Sequence, residues 1–172
     1  FSMRFRGPND QGVEFNTIEK SVVALAHTRL SIIDLTASGH QPMHSNDKRY
    51  SIVFNGEIYN YRELRTELKT LGYLFATESD TEVLLAAWGQ WGIDCISRLI
   101  GMFSFAVFDK SKQTITCVRD PFGIKPFFYT LEDGNFIFAS EINAIKEVTE
   151  LQPVIASDLN SLKGYVVYID HF

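Results

Sequence analysis

Met102-Phe103-Ser104-Phe105-Ala106-Val107-Phe108 and Thr114-Ile115-Thr116-Cys117-Val118 are two short apolar runs joined by Asp109-Lys110-Ser111-Lys112-Gln113. Each run has the length of a strand and the joint is a polar turn of hairpin length, so the stretch predicts an antiparallel pair. The pattern recurs just downstream, where residues 127–129 and 136–139 flank Glu132-Asp133-Gly134-Asn135. Upstream, residues 22–33 and 50–54 also read as strands. Hairpins in place of strand-helix-strand crossovers imply antiparallel sheets.

Two helices are expected between the β-rich blocks. The first covers about 61–71: Asn60 is a good N-cap with Glu63 three residues on, Leu64, Leu68 and Leu71 repeat at helical spacing, and Gly72 follows as a stop. The second covers 79–91, with Ser79 followed by Glu82, a broad apolar face of Val83, Leu84, Ala87, Trp88 and Trp91, and Gly92 at its end. Two amphipathic helices need a sheet to cover, which predicts helices packed on antiparallel β layers. After Ile145 the periodicity is lost.

The 172 residues carry 16 basic and 21 acidic side chains, a net charge of −5, and are 45% hydrophobic. That composition suits one soluble domain, and no apolar run approaches the roughly 20 residues that span a membrane. No basic face is left for nucleic acid. Cys95 and Cys117 lie among apolar neighbours and lack the dense pattern of a secreted disulfide scaffold, which suggests a reducing, cytoplasmic setting.

Several residues invite chemistry, each beside a plainer structural reading. Asn55-Gly56-Glu57 ends the 50–54 run and is first of all a turn signal. Alternatively the Gly56 N–H and the Asn55 amide could face one developing oxyanion. Arg29 shares a strand face with His27 and Ser31. It could pair with Glu57 or Asp80, or clamp a substrate carboxylate. Asp80 falls in a first helical turn, where it could cap the helix or, with Glu57, grip an ammonium group. No metal site is expected: Pro42 stands between His40 and His44, His171 is terminal, and neither cysteine has a paired partner. Asp109, Asp120 and Asp133 read as turn residues, and the aromatic cluster of 103–138 as core.

Ordered phrases run across almost the whole chain. They are Arg6-Gly7-Pro8 with Asp10 and Gly12, His27-Thr28-Arg29-Leu30-Ser31-Ile32-Ile33-Asp34-Leu35, Gln41-Pro42-Met43, Phe54-Asn55-Gly56-Glu57-Ile58-Tyr59-Asn60-Tyr61 and Ser79-Asp80-Thr81-Glu82-Val83. Gly101-Met102-Phe103, Arg119-Asp120, Phe122-Gly123-Ile124-Lys125-Pro126 and Ala139-Ser140-Glu141-Ile142 complete them. In this order they resemble the glutaminase domain of asparagine synthetases, a class II glutamine amidotransferase of the N-terminal-nucleophile (Ntn) hydrolase type. Phe5, Asn9 and Asn143 depart from the residues usual in that family.

The resemblance implies an α+β fold, a four-layer αββα sandwich with antiparallel sheets, whose N-terminal strand is missing here, with both helices on one outer face. An exposed strand edge or groove is then expected beside the 50–54 strand. Residues 1–150 would form the amidotransferase domain, and 151–172 its end or a connection towards a synthetase domain. By similarity Arg29 holds the α-carboxylate of glutamine, Leu30, Ser31, Ile32 and Ile33 shape the floor, Glu57 and Asp80 hold the α-ammonium, and Asn55 and Gly56 form the oxyanion hole. The family's nucleophile, a cysteine at the mature N-terminus, has no counterpart in this sequence, so the chain alone is expected to be inactive. No cofactor is expected in this domain, with ATP and Mg belonging to a synthetase domain that accepts the ammonia; a homodimer is left open. Two alternatives remain: a parent with another acceptor, such as a sugar acid in polysaccharide synthesis, and a catalytically dead glutamine-binding or interaction module.

Overall fold

In a computed structural model of the chain, residues 7–18, 21–29 and 39–149 are described, together with the backbone of 166–169. Among the described residues nine strands and three helices follow in order: β1 (Asp10–Ile18), β2 (Ser21–Arg29), β3 (Met43–His44), β4 (Tyr50–Ile58), α1 (Tyr61–Thr70), α2 (Asp80–Trp91), β5 (Gly101–Asp109), β6 (Thr114–Arg119), β7 (Phe128–Glu132), β8 (Asn135–Ala139), α3 (Ile142–Lys146) and β9 (Val166–Ile169). A 3-10 segment, Gly92–Arg98, links α2 to β5.

The central layer is a five-stranded antiparallel sheet in the order β3-β4-β5-β6-β9. The hairpin read from 102–118 forms its middle. On one face lie α1 and α2, as expected: Leu64, Leu68, Val83, Leu84, Ala87 and Trp88 join Ile52, Phe54, Ile58, Phe103, Phe105 and Val107 in one core. Trp88 meets Phe105 edge-to-face at 5.9 Å between ring centres, fixing α2 over β5. On the other face two hairpins, β1-β2 and β7-β8, form a second β layer. Its core joins Ile18, Val23 and Leu25 to Val53, Ala106, Phe108, Ile115 and Cys117, flanked by Phe127, Phe136 and Phe138. The short α3 packs on β7 and β8 through the buried Ile145. The architecture is α+β with antiparallel sheets stacked beneath helices.

Several local readings are corrected. Asn55-Gly56-Glu57 is not a turn: β4 runs through it, paired with β5 from Tyr50↔Asp109 to Ile58↔Gly101. A Cβ on Gly56 would stand 2.3 Å from the Met102 carbonyl oxygen and 2.7 Å from the Phe103 Cα, so the glycine is dictated by the neighbouring strand. Asn60 does not cap α1 with its side chain; its amide donates to the Arg98 carbonyl (2.9 Å) and its Oδ1 accepts the Ile100 N–H (3.0 Å). Ser79 does cap α2, accepting the Thr81 N–H at 3.1 Å, but Glu82 turns instead to the N–H groups of Ala76 and Thr77. Asp120 is more than a turn residue. It is 1% exposed and accepts N–H bonds from Phe103, Phe122, Ile124 and Lys125.

Strand β1 is absent from the sequence expectations, and its burial explains why. Asp10, Gly12, Glu14 and Asn16 turn towards the molecule while Val13 and Phe15 turn outwards, with Phe15 72% exposed, so the usual apolar-inside alternation is inverted.

Candidate functional site

Between the two β layers the side chains change character in one direction along the strands. On β2, Val23 and Leu25 give way to His27 and Arg29; on β4, Val53 gives way to Asn55 and Glu57; on β5 and β6, Phe108 with Ala106 and Ile115 with Cys117 give way to Ser104 and Arg119. The polar end of this space gathers Arg29, Asn55 and Glu57, three of the residues singled out from the sequence.

Strand β4 supplies the site's backbone. β3 covers its outer edge only at Ser51 and Ile52, and beyond that point the described residues meet the edge with side chains. Gln41 Oε1 accepts the Phe54 N–H at 2.6 Å, His27 Nε2 donates to the Phe54 carbonyl at 3.0 Å, and Asp80 Oδ2 accepts the Ile58 N–H at 3.0 Å. Alternate residues of a strand present their N–H groups to the same edge, so the Gly56 N–H faces it too, between those of Phe54 and Ile58. The edge expected to lie exposed beside 50–54 is instead covered there, by β3 at Ser51 and Ile52 and by the Gln41 and His27 side chains at Phe54. Asn55 points into the inter-sheet space, where its Nδ2 donates to Ser140 Oγ at 3.3 Å and keeps a second N–H.

Asp80 lies in the first turn of α2 and is 5% exposed. Burial raises its pKa, the charge of Glu57 raises it further, and the N–H groups of Ile58 and Thr81 act against both. The two acids are therefore close enough to repel, which is the electrostatics of a place that favours a cation. The nearby buried Arg65 is engaged elsewhere, donating to the carbonyls of Thr77 and Ser79 and pairing with Glu78. A groove of about 730 Å³, lined by Glu57, Tyr61, Arg62, Arg65, Thr66 and Glu78, opens on the helix side and touches the site only through Glu57.

Arg29 ends β2, buried on its inner face, two residues beyond His27. Its guanidinium lies against Gly39, where an added Cβ would come within 2.1 Å of Nη2, so only glycine leaves it room. Leu30, Ser31, Ile32 and Ile33, expected to shape the floor, lie outside the described residues. Sequence reasoning missed Gln41 and His27 as edge-binding groups, although both fall in phrases that it quoted.

Other reactive groups lie apart. Cys95 and Cys117 are buried and burial pushes both thiols up to about 12, so neither supplies a thiolate. His40 bonds Asp10 at 2.7 Å. His44 and Ser51 meet at 3.0 Å and Ser51 reaches Glu14 at 3.3 Å, but Ser51 is fully buried and Glu14 is also paired with Lys110 at 3.0 Å, which makes this an inter-layer polar tie. Among the described residues no group of three or more His, Cys, Asp or Glu side chains could hold a metal ion.

A family model for the glutamine amidotransferase domain matches residues 1–170. The chain belongs to that family. It is 40% identical over 166 residues to a putative glutamine-hydrolysing asparagine synthetase of Methanocaldococcus jannaschii, covering 87% of this chain and 31% of the relative. It is 44% identical over 142 residues to a glutamine-hydrolysing asparagine synthetase of Bacillus subtilis, covering 81% of this chain and 22% of the relative. Among solved structures, glutamine phosphoribosylpyrophosphate amidotransferase from B. subtilis superposes with a TM-score of 0.70 at 21% identity, over 84% of this chain and 38% of that one. The amidotransferase domain thus has the Ntn-hydrolase fold that the motifs implied, and it spans roughly a fifth to a third of the length of these curated relatives.

Proposed function

We propose that this amidotransferase domain binds glutamine at the polar end of the inter-sheet space and releases ammonia from its side-chain amide. The observation that carries the reading is at β4, where the Asn55 amide in the inter-sheet space and the adjoining Gly56 N–H neighbour the acid pair Glu57 and Asp80, with Arg29 ending β2 in the facing layer. Glutamine presents a carboxylate, an ammonium and an amide carbonyl. Arg29 matches the first, Glu57 with Asp80 the second, and the two N–H donors the oxyanion formed from the third.

In this reading a thiol adds to the amide carbon and its proton passes through an adjacent amine to the departing nitrogen, which leaves as ammonia. Water then cleaves the thioester to glutamate and restores the thiol. Burial of Cys95 and Cys117 argues against either as that thiol, and the family resemblance assigns the role to a cysteine at the mature N-terminus. Arg29 and the acid pair hold the substrate; Asn55 and Gly56 stabilise charge that exists only in the tetrahedral state.

The names of the longer relatives support asparagine synthesis as the destination of the ammonia, and the family resemblance adds aspartate activated by ATP and Mg in a separate synthetase domain. Among the described residues no helix is long and apolar enough to cross a membrane, and a cytoplasmic setting fits such biosynthesis. The test compares Arg29→Ala with the parent in the full-length protein, using glutamine and then ammonium salt as nitrogen source. The expected result is loss of the glutamine-dependent reaction alone; equal losses with both would make Arg29 a structural residue.

A further inference from the structure

We propose that His27 and Gln41 are positioning residues for glutamine hydrolysis: they clamp the two peptide groups of Phe54 on the outer edge of β4, beyond the end of β3, and thereby fix the directions of Asn55 Nδ2 and the Gly56 N–H. The inference rests on the reading of Asn55 and Gly56 as an oxyanion hole.

An edge strand normally meets water or another strand. Here the Phe54 N–H goes to Gln41 Oε1 at 2.6 Å and the Phe54 carbonyl to His27 Nε2 at 3.0 Å. That carbonyl belongs to the peptide plane that also carries the Asn55 N–H, so the imidazole sets the plane from which the Asn55 side chain departs. Gln41, 5% exposed, reaches on with its Nε2 to Thr81 Oγ1 at 3.5 Å, beside Asp80, which holds the Ile58 N–H at 3.0 Å. The N–H groups before and after Gly56 on the same edge are thus both occupied by protein side chains, and the one at Gly56 is bracketed between them.

The choice of histidine is explained by charge. Facing a carbonyl, Nε2 must carry the hydrogen, which leaves Nδ1 as a bare lone pair; it is buried without a recorded partner among the described residues. Burial, with Arg29 nearby, pushes the imidazole down to about 4, so it donates as a neutral group. A lysine or arginine could reach a carbonyl, but would place a permanent charge next to the carboxylate-binding arginine. Misdirecting the donors should affect the tetrahedral state more than the ground state, because only the former presents a full oxyanion.

The test measures glutamate release and thermal midpoint in the full-length protein for His27→Phe, His27→Gln, Gln41→Leu, Asn55→Ala and the His27→Phe/Asn55→Ala double variant. His27→Phe and Gln41→Leu should each lower kcat about tenfold or more with KM within about threefold. His27→Gln, which keeps an N–H donor, should recover most of that loss. In the Asn55→Ala background His27→Phe should cost clearly less than in the parent, since one of the two donors that it aims has gone. Folded His27→Phe protein with the parent's kcat, or losses that multiply in the double variant, would overturn the clamp. An unchanged kcat in Asn55→Ala would instead overturn the oxyanion-hole reading, and the clamp with it. If His27→Phe does not fold, Gln41→Leu and its own double variant with Asn55→Ala carry the same comparison.

Discussion

Two glycines and one asparagine make the site's geometry testable one atom at a time. If Asn55 Nδ2 stabilises an oxyanion, Asn55→Ala should lower the glutaminase kcat roughly 100-fold with little change in KM, as measured by glutamate release. Gly39 acts at a distance from the bond that breaks. Gly39→Ala would push a methyl into the Arg29 guanidinium, 2.1 Å from Nη2. The expected outcome is a raised KM for glutamine with kcat near the parent value, because a displaced arginine weakens substrate and transition state alike. Gly56→Ala differs in kind, since its obstacle is the Met102 backbone at 2.3 Å. Overpacking against a main chain that cannot swing away should lower stability by about 1–3 kcal/mol, read as a lower thermal midpoint.

At the scale of elements, the loop after β6 is the clearest case of two adjacent side chains organising a segment. Arg119 binds the carbonyls of Lys125 (2.6 Å) and Gly123 (2.7 Å) while Asp120 gathers four N–H groups, so 120–125 is held from both polarities. Burial alone would raise the pKa of Asp120, but the donors from Lys125, Ile124, Phe103 and Phe122 hold it below the usual carboxylate value. Asp120→Asn removes the charge and one acceptor oxygen, and should cost about 3 kcal/mol or more in chemical denaturation. The sequence marked Arg119-Asp120 only as a phrase and a turn, because the groups that Asp120 binds include the Phe103 N–H from another strand. The same limit explains the misread Asn55-Gly56. Asn-Gly is a local turn signal, whereas the need for glycine at 56 comes from a strand 46 residues away. What was legible was whatever repeats locally: the 102–118 hairpin, the leucines of α1 and the Ser79 cap of α2. Strand β1 was hidden because a ribbon with charges on its inner face carries no ordinary amphipathic signature. Arg29, Asn55, Glu57 and Asp80 were singled out by residue chemistry and motif order, while His27 and Gln41 needed the edge of β4 to be seen.

The whole molecule has a pH dependence with a definite sign. His27 takes a proton below about 6.5 in an unfolded chain but only below about 4 in the fold. Its contribution is therefore complete above pH 6.5 and is lost as pH falls towards 4, by up to ~3 kcal/mol. Asp109 and Glu14, held below their ordinary values, add losses in the same direction at lower pH, and Asp80, raised by burial, works against them. Urea midpoints measured from pH 7 to 4 should fall, and His27→Gln should flatten the part between 6.5 and 4. The 172-residue chain by itself is expected to release no ammonia from glutamine above a no-protein control; release abolished by Cys95→Ala or Cys117→Ala would reinstate an internal thiol.

The passage from apolar to polar side chains along the inter-sheet space bears on motion as well as on binding. Close-packed hydrocarbon resists separation, while a gap bridged by a few directed bonds can part and reclose one bond at a time. The layers joined by Leu25, Val53, Ala106, Phe108 and Cys117 should behave as a spine, and the end carrying His27, Arg29 and Asn55 as the free margin of the pages. Amide deuterium uptake would register this as a slope along β4, slow at Val53 and progressively faster through Asn55 and Glu57, although all three face the same fully paired strand β5. Substrate would then enter by widening one margin, with the helices of the opposite face undisturbed, and saturating glutamine should level that slope.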